Sequence, residues 1–258
     1  MSGVALNFET RGDAGAPAVM LLHGFMSSNA QWLANEAALA ARHRLVMVEL
    51  WGHGDSPLPQ DLDAFSVDAY VAQFEAIRRQ LDISEWALIG QSYGAGLVLR
   101  YAQRCPDVCR RVVVTNSRSA FGSLAARPEG RSEDRDAGNP LAGDFNLRDL
   151  PYHPIHARRF PDEIKAPMVA AADRMPRDAI RHGGRLGADL HSVALLGELT
   201  MPVLLTNGRY EKSFQADADA LRARYPELAI VDLEGGHSIN IEAADGFDAA
   251  VLRFFGAD

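Results

Sequence analysis

Cysteine is nearly absent from this 258-residue chain: Cys105 and Cys109 are the only two, on either side of Pro106. Two thiols exclude a disulfide scaffold, and without nearby histidines they make a poor metal site. They read as small, half-buried residues in a reducing compartment, so the cytoplasm is the expected address. Long hydrophobic runs are missing as well. The stretches 19–22 and 45–48 are far too short to cross a bilayer, and residues 1–10 show no basic start followed by an apolar run, so no secretory signal is expected. Basic charge is scarce: 26 Lys plus Arg face 34 Asp plus Glu, a net charge of −8. That balance argues against a polyanion and hence against nucleic acid as the partner, since phosphate binding relies on clustered Lys and Arg. A small molecule is the expected partner. Oligomeric state leaves no readable signal.

What is present is an ordinary globular composition, 47% hydrophobic and 23% charged, enough for one core plus a small accessory unit. Short apolar runs at 18–22, 45–50, 86–90, 111–115, 202–206 and 229–233 read as strands, with another at 4–9 on the sheet edge. Runs apolar on both faces suit a central parallel sheet covered on each side by helices. Between them, Val67, Tyr70, Val71, Phe74, Ile77 and Leu81 share one helical face, with Ser66 as a plausible N-cap. Phe247, Ala250, Val251, Phe254 and Phe255 repeat the pattern near the end. The alternation predicts a doubly wound, mostly parallel α/β fold.

The alternation breaks at 121–190, a polar stretch punctuated by Pro and Gly, as in Arg127-Pro128-Glu129-Gly130 and Gly138-Asn139-Pro140. It carries eleven basic and eleven acidic residues, so the whole net charge of −8 resides in 1–120 and 191–258. A neutral insertion in an acidic core predicts a separate helical cap, with helices at 162–175 and 177–183.

The strongest chemical signal is Gly90-Gln91-Ser92-Tyr93-Gly94, between an apolar run and a helical segment. A nucleophile on a tight strand-to-helix turn needs small residues two positions before and after it. Ser92 is therefore the expected nucleophile, above a helix N-terminus that favours developing negative charge. His23-Gly24-Phe25 follows the run 18–22, where a turn can aim backbone N–H groups at an oxyanion; Phe25 N–H and Tyr93 N–H are the expected donors. His23 itself reads as a turn-holding residue. Of the eight histidines, His237 sits in Gly235-Gly236-His237-Ser238 after the last strand and is the expected base. His43, His53, His153, His156, His182 and His191 read as surface or cap residues. Glu211, in the loop after 202–206, is the expected acid, ahead of Asp217 and Asp219 in a solvated helix.

With these pieces in order, the chain resembles the α/β-hydrolase superfamily over nearly its whole length. The His23-Gly24 turn, the Gly52-His53-Gly54-Asp55-Ser56 loop, the elbow at Ser92, the Gly208-Arg209-Tyr210-Glu211 loop and Gly236-His237 occur in that family's order. The resemblance implies a cap at 121–190. The family usually has Asp where Glu211 stands, and Asp and Arg open the loop where this chain has Glu49-Leu50-Trp51, which reads as altered cap or pocket packing. Relatives that open epoxides use Asp at the elbow, so Ser92 points away from them. The expected reaction is cleavage of a carboxylic ester, thioester or lactone without metal or organic cofactor. A C–C bond hydrolase or lyase and a small-molecule receptor are the alternatives. Phe25, Met26, Tyr93 and Trp32 suggest an apolar wall beside Ser92; Arg158 and Arg159 could meet an anionic substrate group.

Overall fold

A computed structural model describes residues 4–62, 65–122 and 144–256; the two punctuating motifs at 127–130 and 138–140 lie outside them. In chain order the strands are β1 (Phe8–Arg11), β2 (Ala18–Leu22), β3 (Arg44–Val48), β4 (Trp86–Gly90), β5 (Cys109–Thr115), β6 (Val203–Gly208) and β7 (Ala229–Leu233). They form one sheet in the order β1-β3-β2-β4-β5-β6-β7. Only β1 runs antiparallel, pairing Phe8 with Val48 and Arg11 with Leu45. The edge strand thus lies a few residues later than the expected 4–9.

Helices α1 (Glu36–Ala40), α2 (Val67–Gln80), α3 (Tyr93–Arg104), α4 (Arg118–Phe121), α5 (Asp162–Asp173), α6 (Arg177–Leu186), α7 (Lys212–Arg224), α8 (Ile239–Glu242) and α9 (Ala244–Phe255) complete the fold. Ser66 caps α2 as its sequence predicts, accepting a hydrogen bond from Ala69 N–H at 3.1 Å. The two-residue period of the strands divides their side chains between two layers. Met20, Leu22, Val46, Val48 and Leu88 pack with Tyr70 and Phe74 of α2 and Leu97 and Val98 of α3. Val19, Leu21, Leu45, Met47 and Ile89 pack on the other face with Leu39 of α1 and Phe247 and Val251 of α9. Because both faces are covered, the central strands β2 and β4 are apolar throughout.

The helices α5 and α6 lie largely outside both layers, although Leu186 at the end of α6 packs into the first. Ala172, Met175, Ala179 and Ile180 pack instead on Met26, and Ile164 and Met168 on Ile241. They therefore lie against the loop that follows β2 and against α8, which follows β7, at the carboxyl ends of the strands. The loop 49–56 is tied down by Glu49, whose carboxylate is buried and accepts from Asn29 N–H, Asn7 Nδ2 and Asp55 N–H. Trp51 packs inward on Tyr70 and Phe65. Among the described residues, no helix is long and apolar enough to cross a membrane.

Candidate active site

The turn between β4 and α3 is built by close approach. A Cβ on Gly94 would lie 2.4 Å from the Leu22 carbonyl oxygen, and one on Gly90 would lie 2.6 Å from that of Gly94. No larger residue fits at either place, as the spacing of the motif implies. Between them Ser92 adopts φ +50°, ψ −108°, an unfavourable region for a residue with a Cβ, where strain of about 1–3 kcal/mol is typical. Thr115, at the end of β5, accepts the Ser92 N–H at 3.1 Å and helps hold that conformation.

His237 bridges Ser92 and Glu211. Its Nε2 lies 2.7 Å from Ser92 Oγ and its Nδ1 3.0 Å from Glu211 Oε2. An ionised carboxylate can only accept, so Nδ1 carries the proton and Nε2 is left to accept from the serine hydroxyl. Burial pushes the Glu211 carboxyl up, but hydrogen bonds from His237 and Asn116 outweigh it and hold the group below its ordinary range. Asn116 belongs to no motif that the sequence displays. Its Nδ2 donates to Glu211 Oε2 at 2.9 Å and its Oδ1 accepts the Gly208 N–H at 3.0 Å, fastening the acid loop to the end of β5. An asparagine one residue past a strand end is its only mark in the sequence. Asp217, the rival acid, lies within α7.

The turn after β2 runs beside the elbow: a Cβ on Gly24 would lie 3.4 Å from Ser92 Cβ. His23 is buried, donating from Nδ1–H to the Gly24 carbonyl oxygen and accepting the Leu50 N–H on Nε2. His53 takes the same tautomer, with Trp51 O accepting from Nδ1 and Met26 N–H donating to Nε2. The expectation of a surface or cap role for His53 is therefore wrong: it is 2% exposed and braces the turn that carries Phe25. His153 is likewise buried. At the N-terminus of α3, Tyr93 N–H has no intrahelical acceptor, as for the first residues of any helix.

These groups open onto a cleft of about 670 Å³, within the range for small-molecule sites. Phe25, Met26, Ser92, Arg158, Arg159 and Met168 are among its walls. Trp32 is not: it is fully buried in the layer of α1 and α9, so its place in an apolar wall is corrected to plain core. Arg159 reaches the cleft but is already engaged, donating to Glu242 at 3.1 Å and lying over the Tyr210 ring. Glu242 also accepts the Gly236 N–H at 2.9 Å, so this pair steadies the loop before His237. No cluster of three or more His, Cys, Asp or Glu side chains suited to a metal occurs among the described residues.

Residues 17–244 match the family model described as alpha/beta hydrolase fold. A Bacillus subtilis protein provisionally named 2-succinyl-6-hydroxy-2,4-cyclohexadiene-1-carboxylate synthase is 24% identical over 98% of this chain and 95% of its own. Among solved structures, a hydrolase from Pseudomonas aeruginosa superposes with a TM-score of 0.81 at 20% identity, covering 99% of this chain and 98% of the other. The carboxylesterase CesB from Bacillus subtilis gives 0.72 at 20% identity, covering 97% and 87%.

Proposed function

Because the chain belongs to the α/β-hydrolase fold family, we propose that it is a serine hydrolase cleaving a carboxylic ester, thioester or lactone through an acyl-enzyme on Ser92. The observation that carries this reading is the unbroken hydrogen-bonded series from Glu211 through His237 to Ser92. In the proposed cycle Ser92 Oγ attacks the carbonyl carbon while His237 Nε2 takes its proton. The oxyanion is held by Phe25 N–H and Tyr93 N–H, and the protonated imidazole returns its proton to the leaving group. Water, deprotonated by His237, then attacks the acyl-enzyme and releases the acid and Ser92. Met26 and Phe25 would form the apolar wall for the acyl or alcohol group. Arg158, at the cleft, is the side chain proposed to meet an anionic substituent, since Arg159 is held by Glu242. The helices α5 and α6 would act as the cap, part of the proposed insertion 121–190.

Ser92→Ala should fold normally and lose nearly all turnover, as judged by circular dichroism and by kcat on the best ester in a chain-length and aryl-ester screen. Retention of more than a few per cent of kcat would show that the nucleophile is misassigned. The synthase name of the Bacillus relative, matched over nearly the whole chain, supports a second reading, a lyase or C–C bond reaction with the same three residues. Trapping of an acyl group on Ser92 by mass spectrometry selects the ester reading over one in which His237 acts as base alone.

A further inference from the structure

A buried series of amide side chains runs from the cleft to α9, and two backbone carbonyls fix which way its amides point. Asn240 Nδ2 lies 2.8 Å from the Gln31 carbonyl oxygen, and Asn35 Nδ2 lies 2.9 Å from the Asn240 carbonyl oxygen. A carbonyl oxygen only accepts, so both nitrogens are pinned as donors. Asn240 Oδ1 must then face Gln31, whose Nε2 donates to it at 2.9 Å. Gln31 Oε1 is thereby turned toward Ser27 Oγ, 2.9 Å away. The far end agrees: Asn240 Nδ2 donates to Asn35 Oδ1, and Asn35 Nδ2 donates to Asp248 Oδ1. Ser27, Gln31, Asn35 and Asn240 are each no more than 3% exposed.

The consequence falls on Ser27. A hydroxyl owns one proton and two lone pairs and normally rotates to suit its neighbour. This one cannot turn away without leaving Gln31 Oε1 buried and unsatisfied, which costs the desolvation of that oxygen. What Ser27 can offer the cleft is an acceptor. It lines the same cleft as Ser92 and stands two residues past Phe25.

We propose that Ser27 is a specificity-determining residue that accepts a hydrogen bond from a substrate hydroxyl or N–H, so that esters bearing such a donor near the scissile carbonyl are preferred. The proposal rests on the hydrolase reading above. A neutral hydrogen bond of ordinary strength predicts a preference of about 5- to 10-fold. The test compares kcat/KM for methyl 2- and 3-hydroxybutanoate with their methoxy counterparts, followed by acid release. In parallel, calorimetry measures binding of the corresponding hydroxy- and methoxybutanamides, which requires no turnover. Wild type should favour a hydroxyl at one position, Ser27→Ala should bring that ratio to within twofold of one, and Ser27→Thr should retain it. A loss of packing alone would lower both members of each pair and leave the ratio in place. No hydroxyl preference in either arm, or one that Ser27→Ala leaves untouched, overturns the proposal. If no ester is turned over and a fluorophosphonate leaves Ser92 unlabelled while the binding preference persists, the hydrolase reading fails and the acceptor role of Ser27 stands.

Discussion

Two residues at the site sit where their own chemistry would not place them. Ser92 is held at positive φ by the packing of Gly90 and Gly94 and by Thr115. Glu211 is largely buried yet favours its charged form, because His237 and Asn116 both donate to it. A carboxylate kept ionised through the mildly acidic range keeps the His237 proton on Nδ1. Glu211→Gln retains the shape but can present its NH₂ to Nδ1, which favours the wrong tautomer; the corresponding change in another serine hydrolase lowers kcat about 10⁴-fold. The expected result here is a loss of that order, with Glu211→Asp milder because charge survives and only reach is lost. Asp217→Asn is the matched control and should keep near-normal kcat. A crippled Asp217→Asn beside an active Glu211→Gln would move the acid to α7.

At the scale of elements, the proposed function divides the sheet, which carries the chemistry, from the two helices packed over its strand ends. β4, β5, β6 and β7 end at the same edge of a parallel sheet, so the loops bearing Ser92, Asn116, Glu211 and His237 meet there. The helices α5 and α6 contribute packing instead: Met168 is buried against Ile241 and also lines the cleft. Met168→Ala should cost about 2–5 kcal/mol of stability, as buried methionine truncations do, while enlarging the cleft. The expected signature is a several-fold gain in kcat/KM for long-chain over acetyl esters, with fluorophosphonate labelling of Ser92 intact. An unchanged chain-length profile, or lost labelling in a folded variant, would contradict the proposed division between cap and core.

For the whole molecule, the buried histidines couple stability to pH. Burial pushes His23 down to about 4 and His53 down to about 3, the latter also lowered by His23 itself. An unfolded histidine titrates near 6.5, so below that pH the unfolded chain binds protons that the folded chain refuses. Stability should therefore be complete above about pH 6.5 and fall as pH drops toward 4, by up to roughly 1.4 kcal/mol per pH unit for each histidine. Urea unfolding from pH 7.5 to 5 measures this slope. His53→Gln, which leaves an acceptor for Met26 N–H, should make the slope measurably shallower. Asp248, pushed by burial up to about 6, works in the opposite sense below that pH, so the check is the slope lost in His53→Gln; an unchanged slope would mean that His53 is not buried neutral.

Much of this protein is legible in its sequence. Alternating apolar runs dictate the sheet, since strands covered on both faces need no polar side, and the short segment 18–22 coincides residue for residue with β2. The Gly-x-Ser-x-Gly turn is equally local: its glycines are required by contacts within one strand-turn-helix unit and the strand beside it. The approach of the Glu211 loop to His237 is legible because strand-end loops of a parallel sheet share one edge. Other features depend on distant partners. Trp32 and Arg159 both look like substrate contacts in sequence, and only tertiary packing buries Trp32 in the layer of α9 and pairs Arg159, at the cleft wall, with Glu242, 83 positions away. His53 resembles any loop histidine until the turn after β2 folds onto it. The polarity of Ser27 is settled by Asn240, 209 residues from Gln31. Periodicity and turn chemistry act between neighbours and are written in the sequence; hydrogen-bond direction and burial are pairwise over long range, so only the folded chain decides them.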